Sequence, residues 1–134
     1  MKKYRKGVTF GVFDLFHVGH LNLLKQAKEQ CEFLIVGIST DKYSQEKKGK
    51  QPVIPFLERF QIVQAIKDVD WATIQDDTYT KAKTAETFNA DVIFVGSDWK
   101  GKQWDGAKLG IPVVYIPYTE HISTTKVITK IQNA

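Results

Sequence analysis

His17 and His20 stand three residues apart, with Gly19 between them, in the stretch GVFDLFHVGHLNLL of residues 11–24. An apolar run precedes them and an apolar periodic stretch follows, so the pair sits where a strand gives way to a helix. Several chemistries use imidazoles at such a place. Zinc would need a third protein ligand, and the chain offers only His121 and a single cysteine, Cys31. A histidine serving a nucleophile needs an activated Ser or Cys with an orienting partner, and no G-x-S-x-G elbow is present. A purely structural role, capping the helix, is the ordinary reading of one histidine. An anion cradle accounts for more of the residues. A helix N-terminus presents free N–H groups and a positive dipole end to phosphate. Gly11 and Gly19 let the backbone come close, and two imidazoles can donate to oxygens that gain charge during phosphoryl chemistry. The patterns G-x-x-x-x-G-K-[ST] and G-x-G-x-x-G are absent, so a nucleotide site here is of another kind.

The elements that must hold this junction read as alternating strands and helices. Apolar, β-branched runs over residues 7–13, 33–39, 71–75, 91–97 and 112–117 predict strands. Helical spacing predicts helices over 20–30, 56–67, 80–89 and 123–133, with Pro55 suited to a first turn and Ser123 to an N-cap. Continuously apolar strands alternating with helices imply an α/β fold: a Rossmann-like, doubly wound parallel sheet of about five strands, with helices on both faces. Ligands of such sheets bind beyond the carboxyl ends of the strands. Four loops follow strands and carry candidate residues: 14–19, 40–50, 97–102 and 118–123.

Length bounds the rest. The 134 residues suit one domain with one core over residues 1–134. An apolar fraction of 43% with 25% charged residues is globular, and no repeat or low-complexity tract interrupts it. A lone cysteine implies a reducing, cytoplasmic setting. No apolar run reaches transmembrane length, so no membrane insertion is expected. The net charge of +4 suits a phosphorylated small molecule, an acidic surface or simply a solvated loop around Lys47 and Lys50. The basic residues are scattered and no RNA-binding signature is present, so nucleic acid is not an expected partner.

The residues also carry a resemblance. GVFDLFHVGH resembles the signature of the nucleotidylyltransferases with an H-x-G-H motif, and TEHISTTK (residues 119–126) resembles their second signature in its cytidylyltransferase form. STDKY (39–43) and VGSDWKGK (95–102) resemble glycerol-3-phosphate cytidylyltransferases, which make CDP-glycerol for teichoic acid synthesis. The resemblance spans nearly the whole chain. It implies attack by a substrate phosphate on the α-phosphorus of CTP, with loss of pyrophosphate. It implies Mg²⁺ carried mainly by the nucleotide phosphates, no metal held by protein ligands alone, and a homodimer. The implied catalytic residues are His17, His20, Lys47, Ser123 and Thr124. The implied nucleotide contacts are Gly11, Val12, Phe13, Asp14, Gly19, Lys50, Arg59, Asp98, Trp99, Thr119, Ile122 and Thr125. Within that set Asp14 is read as holding the loop. The acceptor side is expected at Asp41, Lys67 and Tyr118.

The chain departs from the pattern in four places. Tyr118 replaces an arginine and His121 a glycine in the second signature, Lys67 replaces another arginine, and a tryptophan is missing near Thr78. Lysine keeps the charge but loses the bidentate fork. These departures leave open a nucleotidylyltransferase, using CTP or ATP, for another phosphorylated acceptor such as a sugar phosphate or phosphoethanolamine. A non-catalytic nucleotide-binding protein is the remoter alternative.

Overall fold

The computed structural model describes residues 2–134, with the side chains of Asp105 and Lys108 left out. Five strands form one parallel sheet: β1 (Tyr4–Gly11), β2 (Cys31–Ser39), β3 (Trp71–Gln75), β4 (Val92–Gly96) and β5 (Val113–Ile116). Their order is β3-β2-β1-β4-β5. The chain runs from β1 outward through β2 to β3, then crosses back to pair β4 with β1. The order reverses between β1 and β4, so their carboxyl ends diverge and leave a crevice.

Five helices cover this sheet: α1 (Val18–Gln30), α2 (Asp41–Lys48), α3 (Phe56–Gln64), α4 (Lys81–Thr87) and α5 (Thr124–Gln132). Leu24 and Ala27 of α1 and Val63 of α3 pack with Leu34, Val36, Ile38 and Phe94 on one face. On the other face Val8, Ile35, Ile93 and Val95 pack with Ala85 of α4 and with the segment carrying Trp99, Trp104 and Leu109. Both faces are buried, which is why the strands read as unbroken apolar runs.

Two element boundaries differ from the expectation for a physical reason. Residues 40–50 are not a loop. Thr40 caps α2, its hydroxyl accepting from the Tyr43 N–H, and Gly49 ends it in the left-handed region at φ 69°. The first strand stops at Gly11 and not at residue 13, because Phe13 (φ 55°) and Leu15 (φ 49°) turn into the left-handed region. Such backbone costs about 1 kcal/mol or more per residue and needs fixing from outside. Both Asp14 carboxylate oxygens supply it, accepting from the N–H groups of Val53 (2.8 Å) and Ile54 (2.9 Å). Arg59 Nη1 donates to Val12 O at 2.7 Å and tightens the same turn.

Candidate functional site

The crevice between β1 and β4 opens into a cleft of about 460 Å³. The end of β1 supplies Gly11, Val12, Phe13 and Asp14, and α1 supplies His17, Gly19 and His20. Asp98 and Trp99 follow β4, while Tyr118, Thr119 and Ile122–Thr125 follow β5. Lys48 and Lys50 enter from the opposite lip.

The histidines are locked by the helix they start. His17 is the N-cap of α1: its Nδ1 accepts from the Gly19 N–H at 3.0 Å, and its own N–H donates to His20 Nδ1 at 3.2 Å. This is a capping box built from two imidazoles. It explains the glycine between them, since a Cβ at Gly19 would stand 2.8 Å from the His17 ring. With both Nδ1 atoms accepting, the neutral rings carry their protons on Nε2. The His17 Nε2–H lies 3.3 Å from Thr124 Oγ1, whose hydroxyl donates to Asp14 O at 3.1 Å. The tautomer is therefore fixed from both ends. The rings stack with centroids 3.9 Å apart, an arrangement that disfavours charge on both. Burial, then the neighbouring His17, lower the His20 pKa to about 3, and burial also lowers that of His17. His20 is a neutral N–H donor at any physiological pH.

The far wall is also a helix start. Ser123 Oγ accepts from the Lys126 N–H at 3.1 Å, leaving the first N–H groups of α5 open to the cleft. Asn22 Nδ2 donates to Thr119 Oγ1 at 2.9 Å and ties this wall to α1. Tyr118 hydrogen-bonds Asp98, and its pKa is raised by partial burial first and then by that carboxylate. Lys48 keeps solvent contact at the lip. Crowding there desolvates its ammonium and lowers its pKa, with Asp98 pulling the other way.

Four expected contacts lie elsewhere. Arg59 is 1% exposed, and four of its five N–H donors are committed: Nε to Ile54 O, Nη1 to Val12 O and Ser39 O, and Nη2 to Asp41 Oδ1. Its place is beneath the cleft floor, bracing the turn. Asp41 is its ion-pair partner at 2.7 Å, so its carboxylate faces Arg59. Lys67 follows α3 and precedes the start of β3, at the sheet edge opposite the strand ends. Lys47 lines a smaller adjoining chamber, 3.5 Å from Asp77. Lys48, one residue on, lines the main cleft and was missed; Thr40 as N-cap was the signal, since it phases α2 and stacks Ser44 and Lys48 on one face.

For a divalent cation the donor set is sparse. Among the described residues no group of three metal-ligating side chains exists. Asp14 is engaged by two N–H groups, leaving Asp98 as the cleft carboxylate. That set would suit a cation carried on phosphates, which Asp98 would help to hold, better than an all-protein cage.

A parallel sheet of this order, with neutral imidazole donors and two helix N-termini at its switch point, defines a nucleotide-binding α/β enzyme fold. The chain belongs to the cytidylyltransferase-like family, whose model matches residues 8–130. It is 39% identical over 123 residues to the glycerol-3-phosphate cytidylyltransferase of Bacillus subtilis (strain 168), covering 92% of this chain and 94% of that one. It is 34% identical to an FAD synthase of Thermococcus sibiricus, covering 97% and 94%. Among solved structures, a lipopolysaccharide core biosynthesis protein from Thermoplasma volcanium GSS1 superposes with a TM-score of 0.71 at 26% identity, covering 89% of this chain and 99% of that one.

Proposed function

We propose that this protein is a cytidylyltransferase that transfers CMP from CTP to sn-glycerol 3-phosphate, giving CDP-glycerol and pyrophosphate. The full-length similarity to the Bacillus glycerol-3-phosphate cytidylyltransferase supports the substrate pair. The observation that carries the chemistry is the pair of imidazoles locked as Nε2–H donors beside the α5 N-terminus. In the reaction an acceptor phosphate oxygen attacks the α-phosphorus in line, and the bond to the bridging oxygen of pyrophosphate breaks. Negative charge builds on the equatorial and leaving oxygens. His20 Nε2–H, the first N–H groups of α5 and the Ser123–Thr125 hydroxyls meet that charge without reorganising. His17 gives its Nε2–H to a phosphate oxygen by exchanging its Thr124 partner. Lys48 and Lys50 neutralise the outer phosphates. Mg²⁺, carried on the triphosphate beside Asp98, would supply further charge neutralisation.

The test is pyrophosphate release from CTP and glycerol 3-phosphate. Release only with ATP and a flavin phosphate would favour the second reading, which the FAD synthase relative keeps in view. We place the protein in the cytoplasm as a homodimer. The buried free thiol of Cys31 suits the first, and the exposed Trp71, Leu57 and Ile62 around edge strand β3 suit the second. A monomer in sedimentation equilibrium would contradict the dimer.

A further inference from the structure

Helix α5 carries chemistry that its packing does not secure. The reaction asks its first N–H groups to stand within hydrogen-bond reach of a phosphate. Yet none of its nine residues is buried. Val127 and Ile128 are half-buried, and Ile131 is 62% exposed. Neither apolar cluster of the core includes an α5 residue. A short helix is held mainly by the apolar face it buries, so α5 needs another anchor. Among the described residues, side-chain hydrogen bonds join the 119–134 segment to the histidine turn and α1 at two points. The first is Thr124, which bonds Asp14 O and His17 Nε2. The second is Thr119, whose Oγ1 accepts from Asn22 Nδ2 at 2.9 Å, across 97 residues of chain. Asn22 stands three residues beyond Gly19 on α1, so the two share a face. That face meets the same segment: a Cβ at Gly19 would stand 3.2 Å from Ile122 Cγ2. The two links differ in their exposure to ligand. His17 lines the cleft, and in the proposed reaction it gives up its Thr124 contact to a phosphate oxygen. Asn22 does not line the cleft, so no ligand there competes for its amide.

We propose that Asn22 is a positioning residue for nucleotidyl transfer: by clasping Thr119 it holds the α5 N-terminus where the transition state needs it, opposite His17 and His20. This inference rests on the reading of the protein as a nucleotidylyltransferase. Asn22 touches no substrate. It acts through Thr119 and the four residues that lead from there to Ser123, the N-cap of α5. Without the clasp, α5 samples positions in which its N–H groups miss the charge that develops on the phosphoryl oxygens. The ground-state nucleotide still meets Lys48, Lys50 and the end of β1. The loss therefore falls on kcat more than on the CTP KM.

The experiment compares the wild type with Asn22→Ala. Initial rates of pyrophosphate release are measured with CTP and glycerol 3-phosphate, and hydrogen exchange of residues 119–134 is followed by mass spectrometry. Alanine is the better helix former, so the substitution does not weaken α1 itself. The expected kcat is about tenfold lower, the worth of one hydrogen bond. The CTP KM should change by less than about threefold. Exchange should quicken in residues 119–134 and stay at the wild-type rate in the sheet. Asn22→Leu, of similar size and without a donor, serves if the alanine variant does not fold. A folded variant with unaltered kcat, or with unaltered exchange in residues 119–134, overturns the role of Asn22 alone. A wild type that binds CTP in calorimetry but releases no pyrophosphate with any phosphorylated acceptor overturns the transferase reading and the role of Asn22 with it.

Discussion

At the scale of single residues, the chemistry rests on two protons. The capping box fixes both Nδ1 atoms as acceptors, so each neutral ring presents Nε2–H. His17→Ala or His20→Ala is expected to lower kcat by about 10²–10³-fold, the cost of losing one preorganised donor. CTP titration and circular dichroism should show the fold retained. Stability carries the signature of a buried neutral imidazole. The folded pKa of His20 is depressed to about 3, below the unfolded value near 6.5, so acid protons bind the unfolded chain first. Its contribution is complete above about pH 6.5 and is lost as pH falls toward 3. Between pH 7 and 5 the wild type should lose ~2 kcal/mol relative to His20→Gln, read by urea unfolding. The histidines were legible from the sequence because a strand-to-helix junction with a central glycine constrains them locally. Their protonation was not, because it is set by burial that only the folded cleft supplies.

At the scale of elements, the turn after β1 is the part under load. Two left-handed residues flank Asp14, and two backbone N–H groups from residues 53 and 54 hold its carboxylate. Arg59 braces the same turn from below. Arg59→Lys should destabilise by about 3 kcal/mol, since it strands buried carbonyls and the Asp41 carboxylate. The loss should appear in the unfolding midpoint, whereas a direct nucleotide contact would appear chiefly in the CTP KM. Helix α2 carries its own prediction. Lys48 lines the cleft and Lys47 only the smaller chamber beside it, so Lys48→Ala should raise the CTP KM tenfold or more and Lys47→Ala should change it far less. Initial-rate kinetics with each substrate varied separates the two. This helix was illegible to periodicity because its run DKYSQEKK is almost wholly polar. Caps at Thr40 and Gly49 define it instead. Arg59 misled for the opposite reason: a guanidinium near a phosphate motif suggests phosphate, but only the folded turn shows four backbone and carboxylate acceptors already around it.

At the scale of the whole molecule, the alternation of apolar strands and helices was enough to give a parallel sheet covered on both faces. Strand order was not readable, because β4 pairs with β1 across more than eighty residues and nothing local records that choice. Yet the order creates the function. Placing β1 beside β4 brings the histidine turn, Asp98 and the α5 N-terminus to one crevice, and leaves β2 and β3 to wall the chamber next to it. The most direct test of this chemistry is pyrophosphate release with Mg²⁺, crossing CTP, ATP, GTP and UTP with glycerol 3-phosphate and other phosphorylated acceptors. Release is expected with CTP and glycerol 3-phosphate, and it should fall about 10²–10³-fold in His20→Ala. Undiminished release by His20→Ala, or no release by the wild type with that pair, would contradict it.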